Sequence, residues 1–177
     1  MRLLQRIADG DLRAFEALYR QYHPRLARFL GRMVRRPQLV EELVNDTLLA
    51  VWRRPENFNA QSKVSTWIFA IAYRKALKAS RRFDEPVEDP DADLRMSGED
   101  GPEQHLGRRQ VREALVCAMR QLSPDHRTVV DLTYFHEFGY REIAEIMDCP
   151  VDTVKTRMFH ARRCLKSALA GNLSDWI

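Results

Sequence analysis

The last helix-forming segment of the chain carries side chains that can bind base edges in DNA. Apolar residues recur at steps of three or four and predict one core-facing stripe, formed by Val154, Met158, Ala161, Leu165 and Leu169. A second face of the same helix combines cations, a hydroxyl group and an aromatic ring: Lys155, Thr156, Phe159, His160 and Arg163. Cations and hydroxyls reach base edges in the major groove, where an aromatic ring can pack on thymine methyl groups. The pattern predicts a recognition helix, and the alternative is that Phe159 belongs to a wide core face.

The residues before this helix have the layout of a helix-turn-helix. We predict a short helix from about Tyr140 to Met147, a turn at Asp148-Cys149-Pro150, and the long helix from Val151 to about Leu169. Ala144 is small where two helices must cross, and Asp148 is of a type that tolerates left-handed backbone geometry. Any short helical hairpin shares this pattern, so it indicates DNA binding only together with the recognition face.

A second candidate DNA surface lies on a predicted helix from about Val64 to Arg82. Lys63 precedes this helix, and Trp67, Arg74 and Lys78 recur along one side of it. Basic residues beside an aromatic ring suit single-stranded DNA, because bases stack on the ring and cations neutralise phosphates. Ser62 is the predicted cap of the helix, and the alternative for Trp67 is a position mainly in the core.

A small acidic and polar surface is predicted on the preceding helix. Glu42, Asn45 and Asp46 stand at i, i+3 and i+4 and therefore share one helix face. This small polar and acidic face lies in a strongly basic part of the chain. The alternative is a solvated face whose acids favour the helix dipole.

Helical spacing accounts for the remaining chain and predicts an all-α protein. One helix follows the capping residues Asp9 to Asp11, a second begins at Pro24, and a third runs from Pro37 to about Arg54. Later in the chain, a helix is predicted from an apolar stripe: Val111, Leu115, Ala118 and Leu122. Another helix follows Ser123-Pro124 and ends before Gly139.

The distribution of charge divides the 177 residues into two domains with different partners. Residues 1–82 carry 17 Lys or Arg against seven Asp or Glu, whereas residues 83–103 carry nine acids and one Arg. We predict two small helical domains, at 1–82 and 106–177, joined by a flexible acidic linker at 83–105. A polyanion is the expected partner of the basic domain.

Several functional classes are excluded by what the sequence lacks. It has no Gly-rich phosphate loop, no metal-spaced cluster and no Ser/His/Asp arrangement, so we predict neither an enzyme nor a cofactor. Residues 1–6 do not resemble a signal peptide, and the uncharged run Val64–Tyr73 is too short to span a bilayer. We expect a cytoplasmic protein.

The helix-turn-helix segment resembles region 4 of the extracytoplasmic-function sigma factors. Residues 143–163 read IAEIMDCPVDTVKTRMFHARR, and the envelope-stress branch shares the Met-Asp-Cys-Pro-Val turn. The earlier Leu122-Ser-Pro-Asp-His-Arg127 resembles the Leu-Pro-x-x-x-Arg motif that opens the region. The resemblance implies contacts to the −35 promoter element by six residues: Lys155, Thr156, Arg157, Phe159, His160 and Arg162.

The basic domain resembles region 2 of the same family. Residues 41–52 resemble the helix that grips the polymerase clamp, which implies that Glu42, Asn45 and Asp46 bind core RNA polymerase. Residues 58–72 resemble the segment that reads the melted −10 element and contain its constant tripeptide Thr66-Trp67-Ile68. The implied −10 residues are Asn59, Ser62, Lys63, Trp67, Arg74 and Lys78.

Together the two resemblances imply a transcription initiation factor that directs core RNA polymerase to promoters through −10 and −35 elements. The family also implies an anti-sigma factor as a partner, which in many members is membrane-anchored. The alternative function is a stand-alone helix-turn-helix regulator whose basic domain mediates dimerisation or effector binding. A regulator has no need of the acidic linker or of the Glu42, Asn45 and Asp46 face.

Overall fold

The computed structural model describes residues 2–34, 36–83 and 114–173, and within these ranges it is helical without any strand. The first domain contains four helices: α1 Arg2–Ala8, α2 Leu12–Gly31, α3 Pro37–Arg53 and α4 Val64–Phe83, with a 3-10 turn at Pro55–Asn57. The second domain contains α5 at 114–120, α6 Pro124–Tyr134, α7 Tyr140–Met147 and α8 Val151–Leu173. The all-α prediction is confirmed. The predicted linker falls largely outside the described residues.

Pro24 lies inside the 20-residue helix α2. The prediction that a second helix begins at Pro24 is therefore wrong. The residues on both sides of it belong to one buried stripe that includes Leu18, Tyr22 and Leu26. A proline inside a helix costs about 3 kcal/mol, but burial of each large apolar side chain contributes roughly 1.5–3 kcal/mol. Packing of the whole stripe therefore outweighs the missing hydrogen bond.

The short helix α1 was not predicted from the sequence. Leu4 and Ile7, three residues apart, are buried in the core of the first domain. Asp11 then caps α2 by accepting hydrogen bonds from the backbone N–H groups of Arg13 and Ala14. The Arg6 guanidinium hydrogen-bonds Asp11 and, with the capping bonds, holds the pKa of that carboxyl below its usual value.

The helix-turn-helix has the predicted bounds, with α7 ending at Met147 and α8 beginning at Val151. Asp148 adopts the left-handed conformation, with φ 51° and ψ 54°. Ser123 caps α6, as predicted, by accepting the N–H of His126. The predicted α5 stripe needs correction, because Leu115 is exposed and Val116 is buried in its place. Val111 lies outside the described residues.

The two domains pack against each other, with α4 of the first lying on α7 of the second. The buried rings of Phe29 and Phe69 meet His136 and Phe138 across this boundary. The Phe69 centroid lies 5.0 Å from that of His136 and 4.9 Å from that of Phe138, both in edge-to-face geometry. The cores of the two domains are therefore continuous.

The geometry of Asp148 gives the first testable prediction. Asp148→Val should lower the free energy of unfolding by about 1–2 kcal/mol, because a β-branched residue is strained at positive φ. Asp148→Gly should change it by less than about 1 kcal/mol, because glycine adopts this conformation without strain. Urea unfolding of both variants measures the difference. Equal stability would contradict the left-handed turn.

Candidate nucleic-acid interface

The predicted recognition face of α8 is exposed. Thr156, Phe159, His160 and Arg163 all face solvent, whereas Val154, Met158 and Ala161 on the opposite side are buried. Phe159 retains 63% of its accessible surface, so it does not belong to the core. An exposed aromatic ring among polar and basic groups is an arrangement suited to a DNA groove.

Asp152, one turn earlier in α8, orients two side chains of the predicted recognition face, Lys155 and Thr156. Lys155 Nζ lies 2.9 Å from the Asp152 carboxylate, and Thr156 Oγ1 donates to the Asp152 carbonyl at 2.9 Å. An exposed ion pair of this kind contributes at most about 1 kcal/mol. Lys155 can therefore exchange this partner for a base or a phosphate.

Arg157 has a different position from its neighbours. Its guanidinium turns towards α6, pairs with Asp125, and also lies 3.7 Å from the Cys149 sulfur. Arg157 therefore links α8 to the start of α6. A phosphate contact by Arg157 stays a prediction.

Two residues that the sequence analysis did not assign to the interface support the recognition face. His126 of α6 stacks on His160, with ring centroids 6.1 Å apart and an interplanar angle of 26°. Burial, together with nearby His160 and Arg157, lowers the pKa of His126. On the other flank, the Tyr134 hydroxyl accepts from Nε of Arg162 at 3.2 Å. The paired residues are far apart along the chain, so the sequence alone does not reveal either contact.

The basic side of α4 is also exposed. Lys63, Arg74 and Lys78 face solvent, and Trp67 is half-buried with its ring 5.4 Å from that of Phe58. Trp67 therefore contributes both to the core and to the surface, rather than to the core alone.

The loop before α4 differs from the prediction in one respect. The carbonyl of Lys63 accepts the N–H of Trp67, so Lys63 rather than Ser62 stands at the cap position. Asn59 is exposed, and its side-chain oxygen accepts the backbone N–H of Gln61.

Glu142 of α7 contacts the start of α4 and was not predicted. Its carboxylate lies 3.1 Å from Lys63 Nζ and accepts from the Thr66 hydroxyl at 3.1 Å. It also accepts the N–H of Gly139 at 3.0 Å, which caps α7. Burial alone raises the pKa of Glu142, but these three partners together hold it below its usual value. The carboxylate is therefore charged near neutral pH.

The acidic face of α3 is exposed as predicted. Glu42, Asn45 and Asp46 all face solvent. Asn45 accepts from the Tyr19 hydroxyl at 3.1 Å, and Asp46 lies 3.3 Å from Lys75 Nζ. The exposed side chain of Leu49 extends this face one turn further along α3, which the sequence pattern did not indicate.

Comparison with known proteins shows the family. The family model for sigma-70 region 2 matches residues 18–85, and the family model for sigma-70 region 4 matches residues 112–165. The ECF RNA polymerase sigma-E factor of Escherichia coli is 30% identical over 174 residues, which cover 92% of this chain and 90% of the relative. The chain belongs to the extracytoplasmic-function sigma factors. It is a transcription initiation factor that directs RNA polymerase to promoters.

Two further similarities cover almost the whole sigma factor. The sigma-E factor of Haemophilus influenzae is 29% identical, covering 94% of this chain and 93% of the relative. The solved structure of the Bartonella quintana sigma factor RpoE, bound to the anti-sigma factor NepR, has the same fold. Its TM-score is 0.65 at 23% identity, and the similarity covers 90% of this chain and 98% of that one.

Metal and membrane features are absent from the part of the sigma factor that the structure describes. Within residues 2–34, 36–83 and 114–173, no group of three His, Cys, Asp or Glu side chains is arranged to hold a metal ion. No helix in the same ranges combines the length and the apolar content needed to cross a bilayer.

The exposure of Phe159 gives a prediction about stability. Phe159→Ala should leave the free energy of unfolding within about 0.5 kcal/mol of wild type, because an exposed side chain contributes little. Its neighbour Met158 is buried, so Met158→Ala should cost about 2–5 kcal/mol. Thermal and urea unfolding compare the pair. If Phe159→Ala lowers the free energy of unfolding as much as Met158→Ala does, Phe159 belongs to the core.

Proposed function

We propose that this sigma factor reads the −35 element with α8, reads the melted −10 element with α4, and binds core polymerase with α3. The observation that carries the proposal is the exposed face of α8, which places Phe159 beside Lys155, Thr156 and His160 on the side opposite the buried stripe. Region 2 would then correspond to residues 1–82 and region 4 to residues 106–177, with 83–105 as the linker.

In the −35 complex we assign two kinds of contact. Lys155 and Phe159 contact base edges, because both are exposed on the predicted recognition face of α8. Arg157 and Arg162 contact phosphates, because they lie on opposite flanks of that face beside Asp125 and Tyr134. Thr156 and His160 complete the surface between these flanks.

In the −10 complex, cations neutralise the backbone of a single strand while Trp67 offers its ring to a base. The exposure of Lys63, Arg74 and Lys78 on one side of α4 supports this assignment. Asn59 and Ser62 belong to the loop before α4, where unstacked bases can be bound through hydrogen bonds. This combination of stacking and charge is typical of surfaces for single-stranded DNA.

The polymerase contact uses the α3 face of Glu42, Asn45 and Asp46, extended by the apolar side chain of Leu49. An exposed leucine beside acidic groups supports a protein partner with a basic, partly apolar surface, rather than DNA. The α3 face lies in the basic domain yet carries negative charge, which separates polymerase binding from DNA binding.

We also propose that the protein works in the cytoplasm, where RNA polymerase acts, and that an anti-sigma factor regulates it. The support comes from a relative of the same fold, the Bartonella quintana RpoE, which was solved in complex with the anti-sigma factor NepR.

A run-off transcription assay on genomic fragments first identifies promoters that the sigma factor uses. Transcription from these promoters then tests the −35 assignment. Lys155→Ala or Phe159→Ala should lose roughly 1–3 kcal/mol of discrimination at one −35 position. Arg162→Ala should weaken all promoters about equally and flatten the salt dependence. Equal losses on every promoter for all three variants would contradict the division into base and phosphate contacts.

Replacement of the α3 face tests polymerase binding. The triple variant Glu42→Ala, Asn45→Ala, Asp46→Ala should lose co-purification with core polymerase while its helical circular dichroism stays unchanged. Glu16→Ala combined with Glu56→Ala removes two exposed acids elsewhere in the same domain and serves as the control. Wild-type binding by the triple variant would remove the assignment. A gel shift of promoter DNA by the free protein, without polymerase, would favour the alternative of a stand-alone regulator.

A further inference from the structure

Two histidines from different helices face each other at the edge of the recognition face. His160 is exposed on α8, and the half-buried His126 belongs to the first turn of α6. Their ring planes are 26° apart, and their ring centroids lie 6.1 Å apart. The ring of Phe159 on the recognition face lies 5.5 Å from that of His160 in edge-to-face geometry. The two imidazoles therefore continue the recognition face from α8 onto α6.

The ring nitrogens of both histidines are available to a further partner. Within residues 2–34, 36–83 and 114–173, the two side chains make ring contacts but no hydrogen bond through an imidazole nitrogen. The N–H of His126 that Ser123 accepts is the backbone group. A neutral imidazole has one donor and one acceptor nitrogen, whereas a protonated imidazole has two donors and a positive charge. Protonation therefore gives the pair the groups that bind an anionic oxygen.

The surroundings of His126 favour its neutral form in the free protein. Burial, followed by the nearby His160 and Arg157, lowers the pKa of His126, and the Asp125 carboxylate opposes this shift. Asp125 is itself paired with Arg157, so its negative charge is shared with a cation of α8. An imidazole ordinarily has a pKa of about 6.5. A lowered pKa therefore leaves His126 uncharged at neutral pH.

The other ionisable groups around the two histidines do not change charge between pH 6 and 8. Burial raises the pKa of the Cys149 thiol in the turn, and raises that of Tyr73 of α4 to about 12. Both groups are therefore neutral in this range. Side chains that are charged throughout it also surround the pair: Asp125, Arg157 and Arg163. Among these groups of the described surface, only the two histidines titrate near neutral pH.

We propose that His126 is part of the −35 interface, and that His126 and His160 together bind a backbone phosphate of promoter DNA with uptake of protons from solvent. The negative potential of the duplex favours the protonated imidazoles, which donate to the phosphate oxygens. Because the pair then has a higher pKa in the complex than in the free protein, its contribution is present at low pH and is lost as the pH rises through that higher value. The inference rests on the −35 surface proposed above.

The affinity of the holoenzyme for two promoter fragments at pH 6, 7 and 8 tests the proposal. One labelled fragment carries an intact promoter found by the run-off assay, and in the other the −35 element is replaced. Fluorescence anisotropy gives both affinities, and their ratio isolates the −35 contacts, because pH effects on core polymerase and on the −10 contacts are common to both fragments. This ratio should rise roughly tenfold from pH 8 to pH 6, about threefold for each histidine. The salt dependence of binding to the intact promoter should also steepen at pH 6, because more cations then contact phosphates.

Variants of the full chain separate charge from ring packing. His126→Phe keeps a ring against His160 but takes up no proton, so its affinity ratio should rise only about threefold over the same range. His126→Gln should behave alike, and it decides the question if circular dichroism shows that His126→Phe unfolds. His126→Gln combined with His160→Gln should give a ratio independent of pH. The matched control is His23→Gln, which removes a half-buried imidazole of the first domain and should keep the wild-type rise.

Two results would overturn the proposal. The first is an affinity ratio of the wild-type holoenzyme that does not change with pH. The second is the full wild-type rise in the folded His126 variants, since His126 would then only orient the ring of His160. An error in the −35 assignment itself gives a different result, because Phe159→Ala would then leave the ratio unchanged at every pH.

Discussion

The eight-residue helix α7 depends mainly on burial, and both candidate DNA surfaces contact α7. A helix of this length is far below the size that is stable alone in water. Ile143 and Ile146 are completely buried, and Ala144 and Met147 are nearly so. One side of α7 packs on α8 and orients the recognition face, while another packs on α4 beside the basic face. A single short helix therefore sets the position of the proposed −35 surface and lies beside the proposed −10 surface.

Polar contacts around α7 determine which basic groups are available for DNA. Arg157 pairs with Asp125, so its proposed phosphate contact requires exchange of this partner, whereas Arg163 on the same helix is exposed. Lys63 is engaged across the domain boundary by Glu142, whereas Arg74 and Lys78 are exposed. The net charge of the basic domain therefore overstates the positive charge that this arrangement presents to a nucleic acid.

Much of the architecture could be predicted from the sequence, because it depends on contacts that are local along the chain. Apolar residues spaced three and four positions apart predicted α3, α4, α7 and α8. The predicted bounds of the helix-turn-helix were correct to the residue on both sides of the turn. Ser123 as a cap and Asp148 as a left-handed turn residue follow from the chemistry of their own side chains. The exposed faces with Phe159 on α8 and Asn45 on α3 followed from the same periodicity.

Only the tertiary structure decided which residues from distant parts of the chain meet. Pro24 remains inside α2 because burial of its neighbours outweighs a local helix-breaking preference. Arg32 and Asp131 are 99 residues apart, and Thr66 and Glu142 are 76 apart, so no local pattern could pair them. His136 packs against Phe29 and Phe69, and this position requires both domains. The residues and helix faces of this sigma factor are properties of its sequence, whereas the contact between its domains exists only where two buried surfaces complement each other.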